Sequence, residues 1–268
     1  MRCITFDRYI EAFHVLERFS EEYPFMLRHL LDLTRTHDPG GISILDIGAG
    51  TGAFARSFLT RCTIPVRSYT AVEPSGDHIR QLHENLRDIP VEKEIIPDFF
   101  TPHSEFNKKF DLVLLSHCTY CFMPDPAPYL KNAFGLVADH GKAVCYHGAP
   151  SNFCSVLNFI YKDILPETRI ADPTFTSWNV RDILERDEIP HTVTYLPGYL
   201  RAGPVFSEGN TALLHNLITF SRLVEAESLE PGLLNRTEEI LHEIAYPSTD
   251  GPRLNLGVDA IVVEARDG

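Results

Sequence analysis

The segment Asp46-Ile47-Gly48-Ala49-Gly50-Thr51-Gly52 places three glycines at alternate positions behind an acid. Glycine lets a backbone turn tightly and approach a ligand closely. A second acid, Glu73, follows 21 residues after Gly52, in Val72-Glu73-Pro74-Ser75. A carboxylate at that distance can accept both hydroxyls of a ribose. The spacing GxGxG is not the GxGxxG of dinucleotide loops, and no GxxxxGK[ST] loop for ATP occurs. The pair therefore points to a nucleoside cofactor without a pyrophosphate.

These residues need a scaffold, and the flanking pattern supplies one. Ile42 to Ile47 is an apolar, β-branched run that delivers Asp46 to the loop. Helical and strand patterns then alternate: helix 54–60, strand 68–72, helix 77–86, strand 91–96, strand 110–116, helix 128–137, strand 142–147. Phe110 to Ser116 is almost wholly apolar, as expected of a strand buried on both faces. Such alternation predicts a doubly wound α/β sheet, mostly parallel, with right-handed crossovers. Before it, Tyr9, Phe13, Leu16 and Phe19 recur at helical spacing, and a second helix is expected over 25–33 after a break at Ser20 to Pro24. His37-Asp38-Pro39-Gly40-Gly41 is a turn cluster that ends this arm. After it the expectations are helices over 152–164, 179–186, 211–226 and 233–245, and strands over 191–196 and 256–265. Three parts follow: an N-terminal helical arm over residues 1–40, a cofactor core over 41–150, and the rest of the sheet with helical substrate-binding insertions over 151–268.

Composition narrows the function. The chain has 268 residues, a formal charge of −13, 44% apolar and 23% charged residues, so it is globular and acidic. No lysine or arginine run suits DNA or anionic lipid, so nucleic-acid and membrane partners are not expected. The apolar runs are too short to cross a membrane. The N-terminus lacks the apolar stretch of a signal peptide, so a cytoplasmic location is expected, with reduced thiols. Cys118 and Cys121 form a lone CxxC, which is read as structural. His140, His147 and His215 lack metal-ligand spacing, and no metal is expected.

The pattern D-x-G-x-G-x-G with an acid ending the second strand resembles motif I of the class I S-adenosylmethionine-dependent methyltransferases. The resemblance implies a seven-stranded Rossmann-like sheet and S-adenosylmethionine as cofactor. It implies that Asp46, Gly48, Gly50 and Gly52 form the loop facing the cofactor's amino-acid part. Glu73 would hold the ribose and Asp98 would lie near the adenine. Ser116 and His117 would lie beside the sulfonium.

Within that class the flanks are similar to the histamine N-methyltransferases: Arg8 to Phe13, Ser20-Glu21-Glu22, Val72 to Ser75, Phe206 to Leu217 and Asp259 to Ala265. The resemblance puts a substrate-binding acid at Glu22 and a hydrogen-bonding position at His117, where the subfamily has glutamine. It puts pocket aromatics at Tyr9, Phe13, Tyr120 and Phe122. The subfamily's C-terminal asparagine falls on Leu256, with Asn255 one residue away. A one-residue slip on a strand turns a side chain to the other face, so either the register shifts or that contact is missing. Trp178, the single tryptophan, is either a lid residue or packing.

The reaction expected is methyl transfer to a nitrogen of a small imidazole or amine, with Glu22 binding the acceptor and His117 orienting it or accepting a proton, in a monomeric enzyme. Two alternatives stand beside it. One is a small-molecule O-, S- or C-methyltransferase, in which His117 is the base and Glu22 is solvent-exposed. The other is a non-catalytic cofactor-binding domain.

Overall fold

Four largely buried strands account for the centre of the molecule. In the computed structural model, which describes residues 2–36, 40–164 and 171–265, they are β1 (Ile42–Ile47), β2 (Val66–Val72), β4 (Phe110–Ser116) and the outer half of β5 (Val137–Gly148). Every residue of β1 is buried, so both faces of this strand are covered. With β3 (Glu92–Ile96), β6 (His191–Leu196) and β9 (Val258–Glu264) they form a seven-stranded sheet in the order β3-β2-β1-β4-β5-β9-β6. The pairs β1–β2, β1–β4, β2–β3 and β4–β5 are parallel, with Asp46 level with Ala71 on one side and Leu114 on the other. The strand order reverses between β1 and β4. In open α/β sheets the crevice at the carboxyl ends of two such strands is where ligands bind.

The helices are α1 (Phe6–Phe19), α2 (Tyr23–Thr34), α3 (Ala53–Leu59), α4 (Gly76–Asn85), α5 (Ala127–Gly135), α6 (Phe153–Ile160), α7 (Ser177–Arg186), α8 (Gly203–Phe206), α9 (Thr211–Arg222) and α10 (Pro231–Ile244). Thr5 caps α1 by accepting from Arg8 N at 3.3 Å, and Ser75 caps α4 by accepting from His78 N at 3.3 Å. The expected break at Ser20 is present, but α2 begins two residues early, at Tyr23. Of the expected turn at 37–41, residues 37–39 lie outside the described residues.

The chain divides into two compact units, each discontinuous. One contains Tyr23–His147, Val180–Thr194 and Asp259–Gly268 and carries most of the sheet. The other gathers Met1–Glu22, Gly148–Asn179 and Tyr195–Val258. This division cuts across the three parts expected from the sequence, because α1 and α2 fall in different units. The helices expected over 152–164, 211–226 and 233–245 group with α1 around an apolar core of their own. Its members include Leu16, Phe19, Phe153, Leu157, Leu217, Ile218, Leu241 and Leu254.

Two elements of this second unit were not expected. β7 (Tyr199–Arg201) and β8 (Arg253–Asn255) pair antiparallel, Leu200 opposite Leu254. At three residues each they are too short for alternation to register. Their presence corrects the expected closing strand over 256–265. Asn255 ends β8, Leu256 N donates to Gly198 O at 2.9 Å, and β9 starts only at Val258. Gly257 sits under the Tyr195 ring, where an added Cβ would come within 2.2 Å of the phenol oxygen.

Leu157 is fully buried in the apolar core of the second unit. Leu157→Ala is expected to cost about 2–5 kcal/mol of stability. Urea unfolding should show a lower midpoint at an unchanged slope.

Candidate active site

The loop after β1 is built on left-handed backbone. Gly48, Gly50 and Gly52 have φ of 71°, 56° and 74°. At Gly48 the need is steric as well, because an added Cβ would lie 2.5 Å from Cys118 Cβ. Nothing lies within 4 Å of a Cβ built on Gly50. The loop is thus packed from behind at Gly48 and open at Gly50, which suits a bound group reaching the backbone there.

Two buried acids flank it. Asp46 accepts from Tyr69 Oη at 2.6 Å. Burial pushes its pKa up to about 7, the Tyr69 hydrogen bond pulling the other way and the Glu73 charge adding to the rise. Glu73 binds the loop directly, accepting from Gly50 N at 2.9 Å through one oxygen. Its other oxygen accepts from Ser75 N at 2.9 Å and lies 3.3 Å from His78 Nδ1. A carboxylate offers about four acceptor positions, so Glu73 keeps capacity for a ribose hydroxyl. His78, on the first turn of α4, is a neighbour that the sequence reading did not identify. Asp98 is exposed, and its Oδ1 accepts from Phe99 N at 2.7 Å. Phe99 is 61% exposed, an aromatic face that composition alone does not single out.

Across the strand reversal, Ser116 ends β4 level with Tyr146 of β5. His117 follows in the left-handed region at φ 52°, a conformation that non-glycine residues seldom adopt outside functional or turn positions. Its ring stacks on Tyr120 at 6.4 Å and 5°. Tyr120 meets His147 edge-on at 4.0 Å. His147 is fully buried, and burial followed by the nearby His117 drives its pKa well below the ordinary range, so it is neutral at physiological pH. The sequence reading set His147 aside as an isolated histidine. The parallel register of β4 and β5 brings it into one aromatic cluster with His117 and Tyr120. Phe122 goes elsewhere: it is buried, stacked on Tyr129 at 4.8 Å and beside Phe100 at 6.1 Å, an ordinary core position.

Neither thiol of the CxxC is in a disulfide; Cys121 is exposed and Cys118 is partly buried. Cys118 is raised well above the usual thiol range by burial and the neighbouring Cys145 and Cys121. Among the described residues, no group of three His, Cys, Asp or Glu side chains is placed to hold a metal ion.

The remaining sequence candidates lie in the second unit. Tyr9 and Phe13 stack at 6.5 Å and 11°, and both meet Phe220 of α9, at 5.3 and 5.6 Å. Glu22 is only 6% exposed, so it is not the surface acid that a Ser-Glu-Glu turn suggests. It packs where a Cβ on Gly198 would meet its own Cβ at 2.9 Å. Its charge contributes to a raised pKa of the Cys154 thiol, after burial, the largest cause. Asn255 is committed to the backbone: Nδ2 donates to Ser151 O at 2.8 Å, and Oδ1 accepts from Gly257 N at 2.9 Å and Tyr195 Oη at 3.4 Å. Leu256 is buried in the apolar core. Neither side of the one-residue slip therefore presents an uncommitted amide. Trp178 is 60% exposed.

Residues 45–143 match the family described as a methyltransferase domain. No curated protein matches the chain, so the resemblance to histamine N-methyltransferases stays with the residues that carry it. Similar solved structures include the YcgJ protein from Bacillus subtilis, with a TM-score of 0.58 at 12% identity over 90% of this chain and 98% of that one. N-methyltransferase NodS from Bradyrhizobium japonicum WM9 gives 0.50 at 13% identity, over 91% and 98%. The CurJ carbon methyltransferase gives 0.53 at 13% identity, over 91% of this chain and 54% of that chain. At such identities the likeness concerns the fold. The sheet has the strand order of the class I methyltransferase fold, and the segment that matches the methyltransferase domain, residues 45–143, carries the glycine loop and Glu73. A methyltransferase domain of this fold implies S-adenosylmethionine as methyl donor, and the glycine loop with Glu73 fits that group.

Two outcomes follow. Glu73→Ala removes a charged acceptor, so the dissociation constant for S-adenosylmethionine should rise by about 10- to 100-fold in calorimetric titration. Asp46, with a folded pKa of about 7 against about 4 when unfolded, binds a proton in the folded state that the unfolded chain has lost between those values. Its contribution to stability is complete below about pH 4 and is lost as pH rises through 7. His147 gives the opposite slope, because its neutral form is favoured on folding. Relative to the wild type, Asp46→Asn should therefore gain stability as pH rises from 4 to 7, in urea unfolding at several pH values.

Proposed function

We propose that this methyltransferase transfers the methyl group to a nitrogen of a small imidazole or amine. The observation that carries the reading is the burial of Glu22. A carboxylate 6% exposed suits recognition of a cationic amine or an imidazole N–H, whereas an O-, S- or C-methyltransferase with His117 as base expects Glu22 in solvent.

When bound, S-adenosylmethionine supplies an electrophilic methyl group on a sulfonium. The residues around it position and shield. The loop from Gly48 to Gly52 offers backbone, and Glu73 accepts from the ribose. Asp98 and Phe99 suit the adenine edge and face. A neutral acceptor nitrogen needs no strong base, only an in-line approach and exclusion of water. The His117–Tyr120–His147 cluster suits both demands. Its rings fix one another by stacking and edge contact, and His147 is held neutral, so it does not repel a cationic sulfonium. His117 orients the acceptor or takes the proton released after transfer. Glu22 binds the acceptor's cationic or N–H end. Tyr120 contributes an aromatic wall suited to a cation, and Tyr9 and Phe13 form an aromatic pair of the same chemistry in the other unit. The reading takes the enzyme to be a cytoplasmic monomer. Among the described residues, no helix is long and apolar enough to cross a membrane.

The test is mass spectrometry of reactions with S-adenosylmethionine and a panel holding histamine, histidine, thiolated histidines, arylamines and phenols. A single added methyl on an imidazole or amine nitrogen is expected. Glu22→Gln should lower kcat/KM for that acceptor by about 10- to 100-fold with cofactor affinity unchanged. Methylation of phenols or thiols alone, at equal rates in Glu22→Gln, would overturn the reading.

A further inference from the structure

Arg222 ends α9 inside the apolar core of the second unit and is fully buried. Its guanidinium carbon lies 4.1 Å from the centre of the Tyr161 ring. Nη1 donates to Thr237 Oγ1 at 2.9 Å, and that hydroxyl in turn donates to Leu233 O at 2.8 Å. Nε and Nη2 are buried and have no hydrogen-bond partner, and neither has the Tyr161 hydroxyl. The acid nearest in sequence, Glu225, is engaged by Arg2 and Arg8 at 3.3 and 3.1 Å. Among the described residues no carboxylate pairs with Arg222.

A guanidinium does not shed its charge inside a protein. The ring beneath it and the carbonyl end of α9 repay only a fraction of the cost of taking that charge out of water. A purely structural role is thus an expensive one, since methionine or leucine fills the same volume at no such cost. The positions of the orphaned donors are informative. Nε and Nη2 lie on the same edge of the guanidinium plane, the edge that grips both oxygens of a planar carboxylate. The donor already used, Nη1, is the one outside that fork. The unsatisfied phenol supplies a further donor on the ring that supports the guanidinium.

We propose that Arg222 and Tyr161 form a binding site for a small organic carboxylate, gripped in bidentate fashion by Nε and Nη2 and capped by the Tyr161 hydroxyl. The chemistry selects a planar, monovalent anion over a tetrahedral one, because two parallel N–H bonds match the two oxygens of a carboxylate. The site stands independently of the methyl acceptor's identity, and its test needs no methyl transfer.

The experiment is thermal unfolding of the full chain against sodium acetate and sodium benzoate, at ionic strength held constant with sodium chloride, with acetamide and inorganic phosphate as comparisons. The wild type should show a saturable rise in Tm with either carboxylate, none with acetamide and a weaker one with phosphate. Arg222→Met should be at least as stable as the wild type in carboxylate-free buffer and should lose the saturable response. Tyr161→Phe keeps the ring under the guanidinium and removes only the hydroxyl. Its half-saturating carboxylate concentration should rise about fivefold or more. The proposal is overturned by a wild-type response equal in chloride and carboxylate, by a Tyr161→Phe curve that superimposes on the wild type, or by phosphate binding more tightly than acetate. Should Arg222→Met fail to fold, the charge is satisfied within the chain, and an unshifted Tyr161→Phe curve would settle the matter against the site.

Discussion

The hydrogen bond from Gly50 N to Glu73 joins the two strands that define the cofactor site. It takes a carboxylate from the end of β2 and holds against it a loop that only glycine can shape at the end of β1. Ser75 N binds the other oxygen, so the same side chain also fixes the entry to α4. The parallel register then decides what faces this assembly. Because β4 runs beside β1 without offset, Ser116 and His117 emerge level with the glycine loop. Because β5 continues the register, His147 falls in with Tyr120 and His117. One acid thus sets the loop, and the sheet sets the chemistry opposite.

Much of this was legible in the sequence because the central strands are extreme. Ile42 to Ile47 and Phe110 to Ser116 are so apolar that they could only be buried on both faces, and the loop between strand and helix carried its own glycine signature. The resemblance to class I methyltransferases added the roles of Glu73 and the loop, and the fold agrees with it. Sequence failed where position depends on distant partners. The resemblance assigns Glu22 a substrate-binding role, but its neighbours Ser20 and Glu21 give no sign that it is buried. Its burial is set by Gly198 and the β7 segment, more than 170 residues away. His147 reads as an isolated histidine until strand pairing places it beside Tyr120.

The C-terminal region was misread for a related reason. Leu256 to Ala265 is apolar enough to pass as one strand, yet Gly257 interrupts it. A glycine there admits the Tyr195 ring, ends β8 at Asn255 and delays β9 to Val258. The amide of Asn255 is spent on holding this corner. Arg222 carries no sequence signal at all. A basic residue in the last turn of a helix is the commonest of sequence patterns, and nothing in it announces a guanidinium with no access to water.

The second unit is assembled from three separated stretches of chain, and α1 packs against α9 about 200 residues later. During synthesis the apolar face of α1, with Ile10, Val15, Leu16 and Phe19, waits for its main partner, α9, to emerge. At 5–20 residues per second that interval is about 10–40 s. Helix α1 is therefore made long before the helix it packs against. For that time the nascent chain carries an uncovered amphipathic segment, the kind of surface that chaperones hold and that neighbouring chains can capture.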